Sequence, residues 1–348
     1  MSRSHGFGIV GTGIIAVTHA EAIATLPGAG LIAVTDIGTE SAQRFARAHS
    51  CAADPDLESL LAREDIDVVC VCVPSGLHAE IGIKAAAAGK HLVIEKPIDV
   101  SLAAADRLIE AAGLAGVKVT VISQHRFDPG LIELRTLVET GVLGTLLLGE
   151  ASTKWYRSQA YYDSASWRGT WALDGGSLMN QGVHYVDLLL AAMGPVAEVT
   201  AITATQTHQI EAEDTALALL RFRSGALGAL VSSTSVFPGF AQRLEITGTN
   251  GTVVITEGEI TSRALNAESV PEVSGHAGAA GASTPTIGVT SHAAQLADLL
   301  AAIDENRQPV VTAADGRAAL EVVLAVYESA RTGQPVRPPL AGTIATTT

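Results

Sequence analysis

Two short polar motifs hold the residues best suited to chemistry. Lys96 directly follows HLVIE, a run that predicts a buried parallel strand. Ligands of open α/β sheets bind beyond the carboxyl ends of the strands, so Lys96 is placed at a ligand crevice. Asn180 and His184 are four residues apart on a predicted helix, and Asp187 follows one turn later. This polar stripe predicts either a helix that lines a pocket or a core histidine paired with its neighbouring acid.

A glycine turn near the start of the chain predicts a nucleotide-binding strand and helix. In FGIVGTGIIA, the residues Gly11, Gly13 and Ala16 fit the pattern G-x-G-x-x-G/A, which brings backbone N–H groups close to a pyrophosphate. The following helix directs its positive dipole end at the phosphates. Asp36 ends the next predicted strand, LIAVTD, 23 residues after Gly13, near the spacing of an acid that binds ribose hydroxyls. Since a carboxylate there repels a 2′-phosphate and no basic residue follows until Arg44, the sequence predicts NAD rather than NADP.

Strands and helices alternate through residues 1–124. The strands are continuous apolar runs, which is typical of a parallel sheet covered by helices on both faces. We therefore expect a doubly wound α/β nucleotide-binding domain over 1–124. The predicted strands are Phe7–Val10, Leu31–Asp36, Asp67–Val73, His91–Glu95 and Lys118–Ser123, with helices near 14–26, 39–49, 55–63, 76–88 and 101–115.

The pattern changes over residues 125–348. Longer strand-like runs separated by short turns favour an α+β domain with a large, mostly antiparallel open sheet. The predicted strands are 145–156, 197–206, 214–223, 226–236, 242–247 and 252–256, and the predicted helices are 129–140, 175–193, 290–305 and 313–332. Residues 264–289 are rich in Gly, Ala, Ser and Pro and predict an exposed loop, and the last ten residues predict a frayed tail.

Composition narrows the class of partner. A formal net charge of −14 argues against nucleic acid and anionic membranes, which need a basic patch. No apolar stretch reaches the length of a membrane span, and because the first predicted strand begins near Phe7 we expect no signal peptide. The three cysteines lack metal-type spacing, so no metal site is expected, and Cys70 and Cys72 in the run VVCVCVP are expected to be core residues in a reducing cytoplasm.

Aromatic residues cluster between positions 155 and 171. All three tryptophans of the chain lie there, together with Tyr156, Tyr161 and Tyr162. Aromatic faces suit the C–H faces of a sugar ring, and Arg157 and Arg168 suit hydroxyls or a carboxylate. A loop packed over the core, or an oligomer interface, is the alternative interpretation.

Four motifs together resemble the glucose–fructose oxidoreductase/inositol dehydrogenase (Gfo/Idh/MocA) family, over about residues 6–335. They are GTGIIAVTHA at Gly11–Ala20, VPSGLHAE at Val73–Glu80, EKP at Glu95–Pro97 and GGSLMNQGVHYVDLL at Gly175–Leu189. The resemblance implies an N-terminal Rossmann domain for NAD binding and a C-terminal domain for substrate binding and oligomerisation. It also implies oxidation or reduction of secondary hydroxyls with NAD(P), and a homodimer or homotetramer formed through the open sheet.

The resemblance also implies roles for individual residues. Lys96 matches the active-site lysine of the family, and His184 matches its catalytic histidine. Asn180, the third candidate catalytic residue, stands where inositol dehydrogenases carry Asp; this variant is similar to nucleotide-sugar 3-dehydrogenases and several simple-sugar dehydrogenases. We also expect the Lys96–Pro97 peptide to be cis. The candidate cofactor-binding residues are Gly11, Gly13, Ile14, Ile15, Asp36, Pro74, Ser75, His78, Glu95, Lys96 and Gln124. The candidate substrate-binding residues are Lys96, Arg126, Tyr161, Trp167, Arg168, Trp171, Asn180 and His184.

The resulting hypothesis is an NAD-dependent oxidoreductase acting on a secondary hydroxyl of a sugar or cyclitol. His184 is expected to accept the hydroxyl proton, and Lys96 to stabilise the developing negative charge. Two alternatives stay open. One is a nucleotide-sugar dehydrogenase or ketoreductase of the same family, and the other is a non-catalytic NAD-binding sensor.

Overall fold

A computed structural model of the chain describes residues 5–266 and 289–340. The chain divides into two compact units. The first contains Met1–Gln124 and Thr286–Arg317, and the second contains His125–Pro285 and Ala318–Thr348. A division at residue 124 alone therefore differs from the structure by the segment Thr286–Arg317, which belongs to the first unit.

The first unit is built on a six-stranded parallel sheet in the order β3-β2-β1-β4-β5-β6. This order is that of the doubly wound nucleotide-binding fold, so the predicted fold class is confirmed. The strands are β1 His5–Val10, β2 Ala29–Thr35, β3 Ala52–Ala53, β4 Val68–Val71, β5 His91–Ile94 and β6 Val119–Val121. The helices are α1 Ile14–Thr25, α2 Thr39–His49, α3 Leu57–Leu61, α4 His78–Ala87 and α5 Leu102–Ala115.

One further helix of the first unit, α9 Val289–Asp304, comes from the C-terminal part of the chain. Its buried Leu296, Leu299 and Leu300 share a core cluster with Ile23 of α1. Gln295 donates to the Val121 carbonyl at 2.8 Å and accepts from the Ser123 amide at 3.0 Å, which fixes α9 to the edge of the sheet. An amphipathic pattern predicts the helix but does not identify the sheet it covers, which is why the sequence did not assign α9 to this unit.

The second unit contains a seven-stranded sheet in the order β13-β12-β11-β7-β10-β9-β8. Among the described strands of this sheet, only β7 and β10 pair in parallel, so the predicted mostly antiparallel sheet is confirmed. The strands are β7 Leu146–Lys154, β8 Val196–Ala204, β9 Thr215–Phe222, β10 Leu227–Ser233, β11 Arg243–Gly248, β12 Gly251–Thr256 and β13 Glu259–Leu265. The helices are α6 Pro129–Glu139, α7 Gln159–Asp163, α8 Val183–Met193 and α10 Ala313–Thr332, which begins in the first unit and continues into the second.

The two faces of this sheet differ in their cover. On β9, Ala218 and Leu220 are buried, whereas Leu217 and Leu219 between them are 50% and 67% exposed. Gly149 of β7 lies so close to α8 that a Cβ atom would approach Leu189 to 2.8 Å, so α8 covers the buried face. The opposite face presents apolar side chains to solvent.

Two predicted boundaries are wrong. The regular helix expected from residue 175 is replaced by a π turn at Leu178–Gly182, followed by α8. The loop expected from residue 264 begins later, because β13 continues to Leu265 by pairing with β12. The rest of that predicted loop, 267–288, and the predicted tail from 341 onward lie outside the described residues. Within the described ranges, no helix combines the length and the apolar character that crossing a bilayer requires.

Candidate active site

The glycine turn between β1 and α1 has the geometry of an anion-binding helix start. Gly11 adopts a φ of 90°, and a Cβ atom on it would lie 2.6 Å from the Cys72 carbonyl oxygen, so only glycine fits. Gly13 is the N-cap residue of α1, and apart from its chain neighbours no described residue has an atom within 4 Å of the position that a Cβ atom would take there. The first residues of α1, Ile14 and Ile15, therefore start a helix whose N–H groups have room for a phosphate.

Asp36 lies directly after β2 and is bonded to the glycine turn. Its Oδ2 accepts hydrogen bonds from the Thr12 amide at 2.7 Å and the Thr12 hydroxyl at 2.9 Å. Its Oδ1 accepts from the Gly38 amide at 2.8 Å. The structure thus places a fixed carboxylate beside the turn, where ribose hydroxyls of a dinucleotide bind in this fold.

Lys96 follows β5, and the residue before it is anchored in the core. The Glu95 carboxylate is buried and lies 2.7 Å from Nε2 of the fully buried His19 on α1. The Lys96 amide donates to the same carboxylate at 3.2 Å, and the Lys96–Pro97 peptide is cis, as predicted. Glu95, a candidate cofactor-binding residue, therefore directs its carboxylate inward and fixes the backbone at Lys96.

The His19–Glu95 contact changes the pKa of both groups. Burial alone would raise the pKa of Glu95, but the hydrogen bond and charge of His19, with charges on His292 and Lys96, lower it to about 2. Burial alone would lower the pKa of His19, but Cys72 and the Glu95 carboxylate hold it well above its ordinary value. The contact is therefore a buried ion pair.

The loop after β4 is tied to the same peptide. His78 is buried, and its ring nitrogens lie 2.7 Å from the Pro97 carbonyl oxygen and 2.9 Å from the Val73 carbonyl oxygen. Burial lowers the pKa of His78. His78 therefore links the Pro74–Ser75 loop to the backbone that carries Lys96. At the end of the unit, Gln124 is also buried, and its side-chain oxygen has no hydrogen-bond partner among the described residues, which leaves it available to a ligand.

In the second unit, a buried acid and a buried tyrosine cap the turn that leads to the candidate catalytic residues. The Ser177 amide donates to the backbone carbonyl of Glu213 at 2.8 Å. The Leu178 amide donates to Oε1 of the same residue at 2.7 Å. The Met179 amide donates to the Tyr327 hydroxyl at 3.2 Å. The first N–H groups of a helix have no partner within the helix, so these contacts satisfy them from outside.

Glu213 is held in its neutral form by its surroundings. Burial raises its pKa to about 8, against the opposing effects of the Leu178 amide and the Tyr327 hydroxyl. Gly176 lies against the carboxylate so closely that any Cβ atom there would overlap Glu213. Gly176 of the GGS motif thus leaves room for the acid that caps the turn.

Asn180 and His184 are positioned by different neighbours. Asn180 lies in the π turn and its amide nitrogen donates to Asp174. His184 lies in the first turn of α8, and its ring meets the His125 ring edge to face, with centroids 5.4 Å apart. Nδ1 of His125 lies 2.7 Å from the Asp128 carboxylate. The π turn therefore separates two residues that the sequence placed on one regular helix.

Arg126 and Asp187 form an ion pair with each other. Nε and Nη2 of Arg126 donate to the two carboxylate oxygens of Asp187 at 2.7 and 2.5 Å. The side chains are 14% and 7% exposed. One edge of the guanidinium of Arg126, a candidate substrate-binding residue, is thus hydrogen-bonded to Asp187 of α8.

The structure brings together three of the four aromatic and arginine candidates. The Tyr161 hydroxyl accepts from Arg168 at 2.7 Å, and the Arg168 guanidinium lies over the rings of Tyr161 and Trp167. Trp171 instead packs edge to face on Tyr327, with centroids 5.0 Å apart. Trp171 therefore contributes to the support of the capped turn.

Four positioning residues were missed by the sequence analysis. His19 had a signal, because it lies inside the quoted GTGIIAVTHA motif. The only sequence signal for His125 was that it is next to the candidate residue Arg126. Glu213 and Tyr327 had no local signal, since their role depends on contacts with a turn distant in sequence.

Replacing Glu213 by Gln should remove a pH dependence of stability. The carboxyl has an ordinary pKa near 4.5 when unfolded and about 8 when folded. The native state therefore binds more protons between these values, and the free energy of unfolding falls with rising pH, by at most about 1.4 kcal/mol per pH unit. Glu213→Gln keeps the cap and should gain stability over the wild type from pH 5 to pH 8 in urea titrations. Equal slopes for the two proteins would show that Glu213 is ionised in the fold.

Comparison with known proteins identifies the family. Residues 5–123 match the model of the oxidoreductase family with an NAD-binding Rossmann fold, and residues 131–254 match the Gfo/Idh/MocA C-terminal domain. The oxidoreductase YrbE of Bacillus subtilis (strain 168) is 32% identical over 258 residues, covering 72% of this chain and 73% of that protein. Myo-inositol 2-dehydrogenase of Thermotoga maritima is 30% identical, with 71% and 73% covered.

A solved structure agrees over the whole length. The WlbA dehydrogenase from Bordetella pertussis, in complex with NADH and UDP-GlcNAcA, superposes with a TM-score of 0.86 and 32% identity over 97% of this chain and 100% of that one. The glycine turn with its open helix start and adjacent Asp36 fits the dinucleotide such proteins bind. The chain therefore belongs to the Gfo/Idh/MocA family, as an NAD-binding oxidoreductase.

Proposed function

We propose that this oxidoreductase acts on a secondary hydroxyl of a sugar or cyclitol. The observation that carries the proposal is the pairing, in one chain, of the open glycine turn with a lysine fixed after β5 and a histidine at the start of α8. The activity of myo-inositol 2-dehydrogenase, a relative at 30% identity, supports the substrate class.

The residues that would hold the cofactor lie in the first unit. Gly11, Gly13 and the start of α1 would bind the pyrophosphate, and Asp36 would bind the adenosine ribose. The Pro74–Ser75 loop, fixed by His78, and the side-chain oxygen of Gln124, which has no partner among the described residues, would border the nicotinamide half. When bound, NAD supplies a hydride acceptor at its nicotinamide ring.

The protein's own groups manage the proton and the charge. His184 accepts the proton of the reacting hydroxyl as it becomes a carbonyl, and the His125–Asp128 pair behind it restrains its ring. The Lys96 ammonium group supplies a positive charge that stabilises the negative charge developing on a reacting oxygen. Asn180, whose amide nitrogen donates to Asp174, keeps its orientation and accepts a hydrogen bond from a substrate hydroxyl through its oxygen.

A nucleotide sugar is the second candidate substrate. WlbA, at 32% identity, was solved with UDP-GlcNAcA. Arg157 and Arg168 lie near the turn that carries Asn180 and provide cationic groups for such a ligand.

The exposed apolar face of the seven-stranded sheet supports a homodimer or homotetramer. Ile202 is 73% exposed and Leu219 is 67% exposed on neighbouring strands of that face. Apolar surface of this kind is typical of protein–protein contacts. Light scattering of the purified protein should give a mass above the 35.7 kDa of one chain, and a monomer at micromolar concentration would contradict the assembly.

We also place the enzyme in the cytoplasm. Cys51, Cys70 and Cys72 are free thiols, and burial raises the pKa of Cys72 to about 11. Such thiols suit a reducing compartment.

Asp36→Ala should relax the cofactor preference. The substitution removes the charge that repels a 2′-phosphate and the acceptor for the ribose hydroxyls, so NADH should bind more weakly and NADPH more tightly than to the wild type. Fluorescence titration with both cofactors measures the ratio. Glu64→Ala, at an exposed acid of the same unit, serves as the control. A wild-type protein that prefers NADPH would refute the role of Asp36.

His184→Ala should slow the chemical step by about 10²–10⁴-fold, the usual contribution of a general base. Single-turnover formation of NADH, with a substrate found in a panel of sugars, cyclitols and nucleotide sugars, measures this step apart from product release. His49→Ala, on α2, should leave the rate unchanged. Wild-type rates in the His184 variant would remove this residue from the mechanism.

A further inference from the structure

Five half-buried side chains of the second unit form what we term the Arg–aromatic cluster: Trp155, Arg157, Tyr161, Trp167 and Arg168. The guanidinium carbon of Arg157 lies 5.0 Å from the Trp155 ring centroid and 5.2 Å from that of Tyr161. The guanidinium carbon of Arg168 lies 4.3 Å from the Tyr161 centroid and 4.5 Å from that of Trp167. Two cations are therefore each held by two aromatic rings, and they share the ring of Tyr161.

The rings leave most of the guanidinium N–H donors for other partners. Among the described residues, Arg157 donates one side-chain hydrogen bond, to the Tyr156 carbonyl at 3.3 Å, and its buried Nε has no partner. Arg168 donates to the hydroxyls of Ser164 and Tyr161. Since a guanidinium carries several more donors in one plane, both groups can bind an additional acceptor.

Neither cation is neutralised by a carboxylate within residues 5–266 and 289–340. Several other described arginines pair with acids, as Arg126 does with Asp187 and Arg263 with Glu133. The contrast matters because the chain carries a net charge of −14, so acids are in excess. Two like charges beside one ring also repel each other, and an anion bound to both would relieve that repulsion.

The cluster is attached to the turn of the proposed substrate site. Gln181 follows Asn180 in the π turn, and its amide nitrogen donates to the Tyr161 hydroxyl at 3.3 Å. Asp174, whose charge acts on Tyr161, already accepts from the Gly169 amide and from Asn180. Gln181 therefore links the turn of Asn180 to the cluster, so that a ligand held by Asn180 can extend to it.

We propose that the Arg–aromatic cluster binds an anionic substituent of the substrate, a phosphate or a carboxylate. This inference rests on the proposed function and narrows it to acidic or nucleotide sugars. The guanidinium edges match the paired oxygens of either group, and the rings offer flat faces to a sugar or a base. A neutral sugar or cyclitol would leave both cations without a counter-charge.

Calorimetric titration of the full chain with NADH present tests the site without requiring turnover. The probes are UDP and glucuronate, each beside its uncharged counterpart, uridine and glucose. We expect at least one anion to bind 10-fold or more tightly than its uncharged counterpart, which is the size of effect that hydrogen bonds to a charged group produce. The affinity for that anion should fall at high salt. A preference for UDP identifies a phosphate, and a preference for glucuronate identifies a carboxylate. Equal binding of both anions and their neutral counterparts would overturn the proposal.

Variants assign the effect to the two arginines. Arg157→Gln and Arg168→Gln should each weaken binding of the preferred anion by about 10- to 100-fold and leave its neutral counterpart unchanged. Arg223→Gln removes an exposed charge elsewhere in the unit and should have no effect. If a Gln variant is misfolded by circular dichroism, the Lys variant at the same position keeps the charge and should retain part of the binding. Anion binding that survives both Gln substitutions would overturn the assignment.

The two proposals fail separately in these experiments. A protein that binds the anion through both arginines but reduces NAD with no alcohol would refute the dehydrogenase and leave the anion site in place. A protein that oxidises a neutral sugar but does not bind UDP or glucuronate would support the dehydrogenase and refute the anion site.

Discussion

The buried ion pair between His19 and Glu95 joins the elements of the first unit that the proposed chemistry uses. His19 belongs to the helix that starts at the glycine turn, and Glu95 precedes Lys96 at the end of β5. Removing one partner of such a pair leaves an uncompensated buried charge, at a cost of about 3–5 kcal/mol. The position of the lysine is thus coupled to that of the helix start, and His78 adds a second link through the Pro97 carbonyl.

The second unit uses a buried acid in the opposite charge state. Glu95 is ionised because a buried histidine faces it, whereas Glu213 is kept neutral because burial dominates and no cation pairs with it among the described residues. Each acid accepts a hydrogen bond from a backbone amide: Glu95 from that of Lys96 and Glu213 from that of Leu178. The residues proposed to meet the substrate are therefore attached to backbone that buried groups hold in place. The side chains of the site are therefore not needed to hold the backbone and can serve the chemistry.

Local patterns predicted the parts of the molecule that depend on local geometry. Gly11 and Asp36 were found because a tight turn and an acid at a fixed distance are visible in a short stretch. The sheet of the second unit was predicted from its turns, although its parallel pair, β7 with β10, brings together strands far apart in sequence. The π turn and the Glu213 cap had no signal in the sequence, since Gly176 and Glu213 are far apart in the chain and meet only in the folded structure. The α9 helix was recognised as a helix, but its contact with α1 depends on which apolar surface lies uncovered.

We propose that a secondary alcohol of the substrate gives the hydrogen of its carbinol carbon to NAD as hydride. To follow this hydrogen, sugars, cyclitols and nucleotide sugars that carry deuterium on their carbinol carbons are incubated with the enzyme and NAD, and the reduced cofactor is analysed by mass spectrometry. We expect deuterium from one substrate to appear in the nicotinamide ring of NADH. Reduced cofactor without the label, or no reduced cofactor with any substrate of the panel, would contradict it.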